Sequence, residues 1–337
     1  MATAPEIDAA GVAGPDAFLR DIVSPCRPVI LRGLARDWPV VAAAAQGTAA
    51  LAAYLSPFDA GAEVEAFVGP PGIAGRYDYG DAPDGFNFIR RRMRFADALA
   101  AMLAPRDDPA APSLYVGSLP INAYLPGFSA ANRPALLSQP SSARIWLGHA
   151  STIATHYDTL DNLACVVAGR RRFTLYPPEA IGDLYVGPID HTMAGQPTSL
   201  ATSAPRSDPR FPRFTTIADQ AIIADLDPGD ALYLPKLWWH QVDATSGFNG
   251  LVNHWWDAFS AGPDAPYATL LLAMIAIAER PAPERAAWRS HFDHYVFRSD
   301  GHPLAHLPPE KHGLLGPLRP DNYGRIRARV MQMLRGT

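Results

Sequence analysis

The sequence predicts a mainly β protein with helical additions at both ends. Three observations carry that expectation. Between residues 144 and 256, short runs rich in β-branched and aromatic residues follow one another. Gly, Pro and Asp punctuate those runs, as in "DPGD" at 227–230, and the chain's 34 prolines and 26 glycines suit many short strands and turns better than a helical bundle. Apolar residues at helical spacing are confined to the two flanks. Short strands with turn signals between them belong to a sandwich, a barrel or a jelly roll.

Taken in order, "RPVILRGLARDWPVV" at 27–41 reads as a short buried strand, a turn at Gly33 and a helix start, and the alanine-rich 42–55 continues as helix. "EVEAFVG" at 63–69 alternates like a strand, "RRMRFADALAAML" at 91–103 has helical spacing, and "SLYVGSLP" at 113–120 is a strand closed by proline. The β series follows with "RIWLGH", "NLACVVAG", "RRFTLYPP", "DALYLP" and "LVNHWWDAF". A Pro-, Ser- and Thr-rich connection at about 187–214 interrupts it and is long enough to cover a site. After 265, "YATLLLAMIAIAER", "PERAAWRSHFDHYVF" and "DNYGRIRARVMQMLR" return to helical periodicity. The expected organisation is 1–112 as flanking strands and helices, 113–262 as the β core, and 263–337 as a C-terminal helical region.

The 337 residues are 48% hydrophobic with a mean hydropathy of -0.04, the profile of a soluble globular protein with a substantial core. A net charge of -4 argues against a nucleic-acid or membrane-surface protein, which carries a basic excess. Lys236 and Lys311 are the only lysines, so basic charge is almost wholly arginine. Cys26 and Cys165 alone make no disulfide framework and suggest a reducing compartment. The N-terminus lacks a basic start followed by an apolar core, and the most apolar run, 268–278, is too short to cross a bilayer. The expected location is the cytoplasm.

The chemistry concentrates at "THYD". On a strand, side chains two apart share a face, so His156 and Asp158 project together. His240 in "LPKLWWHQV", after a turn and a further strand, is the best third ligand. Two imidazoles and a carboxylate on one face of a metal leave the opposite face open, the arrangement of non-haem ferrous oxygenases. An HxD pair is common on solvated strand faces, so the spacing alone is weak. His149, His191, His254, His291, His294, His302, His306 and His312 lack such a pairing and read as structural or solvated. No HExxH zinc motif occurs.

Two long stretches, "THYDTLDNLACVVAGRRRFTLYPPEAIGDLYVGP" and "PGDALYLPKLWWHQVDATSGFNGLVNHWW", resemble the cupin-like branch of the JmjC dioxygenases, the branch that includes an asparaginyl hydroxylase and many bacterial relatives. "PVILRGLARDWP", "SLYVGSLP" and "HYVFRSDGHPLAHLP" extend the likeness over most of the chain. The resemblance implies a double-stranded β-helix, or cupin jelly roll, with His156, Asp158 and His240 as iron ligands. It further implies that Asn162 and Asn253 flank the cosubstrate, that Arg171 pairs with the distal carboxylate of 2-oxoglutarate, and that the Tyr115 hydroxyl helps hold that carboxylate. A guanidinium suits the role independently, since its planar fork grips a carboxylate through two charge-assisted hydrogen bonds. Arg170 and Arg172 are expected on the opposite, solvated face. Two positions depart from the asparaginyl hydroxylase: Ile153 replaces a threonine that touches the cosubstrate, and Arg171 replaces a lysine.

The implied activity is that of an Fe(II)- and 2-oxoglutarate-dependent dioxygenase, consuming O2 and releasing succinate and CO2 while hydroxylating an unidentified protein side chain or small molecule. A metal-dependent protein of the same fold that does not activate oxygen, such as an isomerase or a sensor, is the alternative. Trp238, Trp239, Trp255 and Trp256 are divided between pocket wall and core. Family members often dimerise through C-terminal helices, and the same homodimer is expected here, with neither nucleic acid nor membrane as partner.

Overall fold

A computed structural model describes residues 1–337 except 81–84, 105–107, 109, 110, 191, 194, 261, 263 and 337. His191 therefore lies outside the described residues. In chain order the strands are β1 (Ala2–Thr3), β2 (Glu6–Asp8), β3 (Val29–Arg32), β4 (Glu63–Gly69), β5 (Arg76–Tyr77), β6 (Ile89–Arg94), β7 (Ser113–Pro120) and β8 (Ser142–Gly148). Then follow β9 (Ser151–His156), β10 (Asp161–Ala168), β11 (Arg171–Tyr176), β12 (Ile222–Leu226), β13 (Ala231–Leu234), β14 (Trp239–Ala244) and β15 (Asn249–Trp256). They form two sheets, one ordered β1-β12-β11-β14-β9-β5 and the other β2-β3-β13-β10-β15-β8-β7-β4-β6. The chain passes repeatedly from one to the other, and most pairings are antiparallel, as a jelly roll requires.

Strand β10 shows why the sequence folds this way. All eight of its residues are buried. Ala164 and Val166 join Phe173, Leu175, Leu226 and Val242 of the smaller sheet in one apolar cluster between the layers. Leu163, Cys165 and Val167 point the other way, into a core shared with the N-terminal helices. A strand covered on both faces reads as a continuous apolar run, which is what "NLACVVA" is. Since Asn162, Ala164 and Val166 alternate together, Asn162 faces the interlayer space.

Two local expectations need correction. The helix expected from 91 begins at Phe95, because Ile89–Arg94 is strand β6, paired in register along β4. The alanine-rich stretch is two helices, Pro39–Ala45 and Thr48–Leu55, separated at Gly47, whose φ of 110° continues neither.

By internal contacts the chain forms two compact units, Met1–Ala258 and Phe259–Thr337. The second contains helices Pro266–Ile277, Ala282–Phe292 and Pro320–Arg335. Among the described residues no helix is long and apolar enough to cross a membrane.

Candidate active site

Antiparallel pairing of β9 with β14 sets His156 directly opposite His240, their ring centroids 4.3 Å apart. Each ring is oriented in the same way. The Nδ1–H of His156 donates to the Ala154 carbonyl at 2.8 Å and that of His240 to the Trp238 carbonyl at 3.0 Å. A nitrogen facing a carbonyl must be the protonated one, so both Nε2 lone pairs are left for a metal. Asp158 reaches the same point from outside the strand. β9 ends at His156, and the carboxylate stands on the following turn, where the Leu237 N–H donates to the Asp158 carbonyl at 2.8 Å. The pleat therefore does not place Asp158 beside His156; the turn does. His240 Nε2 and Asp158 Oδ2 are 3.8 Å apart, and the ligand atoms of all three residues lie within 4.8 Å of one another.

Burial depresses His240 well below the ordinary histidine value, an effect reinforced by His156, so it is the neutral imidazole a metal needs. Burial also raises Asp158, opposed by His156, Trp255 and Asn162. A dication at this point would reverse that shift, since a bound cation is the largest local charge.

The three side chains open on a cavity of about 370 Å³ between the sheets. Arg171, Tyr115, Asn162 and Asn253 all line it. Arg171 is buried with its Nε lacking a hydrogen-bond partner, an arrangement that calls for an anion. Its neighbours behave differently: Arg170 pairs with Asp227 and Arg172 with Asp225, both at the surface. The Tyr115 phenol is pushed up by burial and drawn partly back by the Arg171 charge.

The two asparagines form a directed relay. Trp146 Nε1 can only donate, so it fixes Asn253 Oδ1 at 2.7 Å. Asn253 Nδ2 then donates to Asn162 Oδ1 at 3.2 Å, and Asn162 Nδ2 points at Asp158 Oδ2 across a longer 3.5 Å. Trp146 was not singled out from sequence, and only its indole N–H, an obligate donor when buried, hinted at a role. Ile153 lines the cavity as well, because a register shift between His240 and Val242 lets residues three apart on β9 face inward together. It brings an apolar wall where a hydroxyl was absent from the sequence.

Of the four tryptophans considered, Trp255 alone lines the cavity. Trp239 packs edge-on against Tyr157, Trp256 belongs to the main core, and Trp238 donates to the Cys26 carbonyl. From the long connection, Met193 and Gln196 enter the wall. Buried His254 meets Ser141 Oγ at 3.2 Å, and the His149 Nδ1 accepts from the Leu114 N–H, so neither joins the metal cluster.

A model of the cupin-like domain matches residues 15–262, most of the length of the chain. The chain belongs to the cupin-like domain family. This cupin-like protein is 28% identical over 279 residues to the human bifunctional peptidase and (3S)-lysyl hydroxylase JMJD7, a match covering 71% of the chain and 80% of JMJD7. It is 38% identical over 120 residues to the Arabidopsis thaliana lysine-specific demethylase JMJ31, covering 35% of the chain but only 21% of that protein. A third relative, the Danio rerio tRNA wybutosine-synthesizing protein 5, is 33% identical over 102 residues, 30% of the chain and 28% of its own length. JmjC enzymes use Fe(II), 2-oxoglutarate and O2, and the cluster of two histidines and an aspartate is of the donor type that holds ferrous iron.

Proposed function

We propose that this chain is an Fe(II)- and 2-oxoglutarate-dependent oxygenase that hydroxylates a protein side chain or a small molecule, with His156, Asp158 and His240 holding the metal. The observation that carries the reading is the convergence of two pre-oriented imidazoles and a carboxylate on a cavity whose wall holds a buried arginine with an unpartnered Nε. Lysine side chains, named for two of the relatives, are the first substrates to try.

Bound Fe(II) would supply the activation of O2 by which 2-oxoglutarate becomes succinate and CO2 and one oxygen atom enters a substrate C–H bond. The residues supply everything else. Arg171 meets the distal carboxylate of 2-oxoglutarate, with Tyr115 completing its oxygen contacts. Trp146, Asn253 and Asn162 hold the Asp158 side of the site through a chain in which each donor is fixed by the one before it. Phe173, Val242, Leu251 and Ile153 exclude water from the cosubstrate.

In its cellular setting the chain is read as cytoplasmic, acting on neither nucleic acid nor membrane, and as a homodimer through its C-terminal helices. The test is succinate formation from 2-oxoglutarate by anaerobically iron-loaded protein on admission of air, with and without candidate substrates. Turnover by the native chain and none by His240→Ala is the expected result. Metal binding without any succinate would point instead to a non-oxygenase metalloprotein of the same fold.

A further inference from the structure

Beside the metal site, but outside its cavity, three charged groups meet at the ends of β10, β13 and β15. Asp161 is 1% exposed and accepts hydrogen bonds from the Tyr233 hydroxyl and the Ala258 N–H, each at 3.1 Å. Lys236 Nζ stands 3.3 Å from Asp161 and 2.5 Å from Asp257. In a chain that otherwise carries its positive charge almost wholly as arginine, this is one of two lysines. A compact ammonium, with rotatable donors, fits between two carboxylates where a planar fork fits one.

The position of Lys236 gives the cluster its meaning. It belongs to the four-residue turn Pro235–Trp238 that joins β13 to β14. Within that turn Leu237 has a φ of 67°, a left-handed conformation that a leucine holds only when its surroundings impose it. The same turn serves two metal ligands. Its Leu237 N–H grips the Asp158 carbonyl, and its Trp238 carbonyl orients the His240 ring. Asp161 lies three residues beyond Asp158 on the facing segment.

We propose that Lys236, clamped between Asp161 and Asp257, is a positioning residue of the metal centre: it ties the 235–238 turn to the 158–161 segment and thereby sets where Asp158 and His240 stand relative to each other. The inference rests on the metal reading above. It identifies a support for the ligands that acts through the backbone rather than by touching metal or cosubstrate.

Titration of the full-length, metal-free chain with Co(II), followed by the visible absorption of the bound ion, tests it without recourse to activity. The native chain is expected to give a ligand-field spectrum that His240→Ala abolishes. Lys236→Met, and Lys236→Met with Asp161→Asn to avoid a stranded buried carboxylate, are expected to bind Co(II) about 10- to 100-fold more weakly, the usual effect of removing an outer support of a metal ligand, with an altered spectrum. Lys236→Arg should recover part of the affinity. Should Lys236→Met fail to fold, Asp257→Asn, which removes only the more exposed partner, is expected to shift affinity and spectrum in the same direction by less. Wild-type affinity and spectrum in the Lys236 variants, even with a lowered melting temperature, would overturn the proposal and leave Lys236 a general stabiliser. Co(II) binding indifferent to His240 in the native chain would overturn the metal centre itself, and this inference with it.

Discussion

A guanidinium that shares a cavity wall with Phe173 and Tyr115, and keeps its Nε without a partner, destabilises the fold until an anion meets it. Burial draws Arg171 down to about 10, a tendency Tyr115 opposes, so the side chain is still cationic at neutral pH. Charge-assisted hydrogen bonds contribute roughly 1.5–3 kcal/mol each, so Arg171→Gln should weaken 2-oxoglutarate binding by about 10- to 100-fold. Arg171→Lys, which keeps the charge and loses the fork, should cost less. Anaerobic 2-oxoglutarate titration of the two variants checks the order, and equal affinity for native and Gln forms would contradict it. A second residue predicts a pH effect. Burial lowers His254 to about 4, against about 6.5 in an unfolded chain. Between those values the unfolded state takes up a proton that the folded state refuses, so stability is full above about pH 6.5 and is lost as pH falls toward 4. The loss is on the order of 3 kcal/mol. His254→Gln should flatten that part of the stability–pH curve measured by denaturant unfolding; an unchanged slope would count against it. His156, Asp158 and His240 could be named as candidate ligands from sequence because two long stretches resemble one family, whereas the HxD spacing alone is weak. Trp146 and Lys236 were not, because which donor meets Asn253, or which carboxylates meet Lys236, is decided by strands remote in sequence.

Turns, more than strands, place the functional groups. The turn after β9 carries Asp158, the Pro235–Trp238 turn orients His240, and the β10–β11 turn at Gly169 sets the phase of Arg171. Gly169 has a φ of 66°, and a Cβ there would lie 2.5 Å from the Phe248 carbonyl oxygen and 2.4 Å from Asn249 Oδ1. Gly169→Ala is therefore expected to cost about 2–3 kcal/mol, to lower the melting temperature by several degrees and to weaken 2-oxoglutarate binding by displacing Arg171. Thermal unfolding and a 2-oxoglutarate titration read the two effects, and a variant with native values in both would refute the assignment. Strand runs such as "SLYVGSLP" and "NLACVVA" were visible in sequence because their apolar residues are β-branched, aromatic or continuous. β6 was not: its arginines are exposed on an outer strand whose pairing with β4 leaves no apolar signature, and the helix that follows lent them its periodicity. The alternation argument for His156 and Asp158 reached the right neighbourhood through the wrong element, since the strand stops between them.

At the scale of the molecule, the jelly roll and the Phe259–Thr337 unit present different surfaces. Helix Pro266–Ile277 buries none of its residues, although it is apolar nearly all round: Leu270 is 50% exposed and Ile275 83%. A helix of that composition belongs in a core, and a second copy of the chain would provide one. Light scattering at micromolar concentration should give the mass of a dimer, and Leu270→Glu with Ile275→Glu should give that of a monomer; a monomeric native chain would end the proposal. The layered β domain was legible from strand texture and turn residues. The pairing of β9 with β14, which makes a site from distant segments, was legible only through the resemblance, because nothing local to either strand selects the other. The most direct test of the account is an anaerobic calorimetric titration of the native chain, first with Fe(II) and then with 2-oxoglutarate. One metal ion and one 2-oxoglutarate should bind per chain, the second only after the first, with both lost in His240→Ala. 2-Oxoglutarate binding that ignores the metal, or metal binding that survives removal of His240, would contradict it.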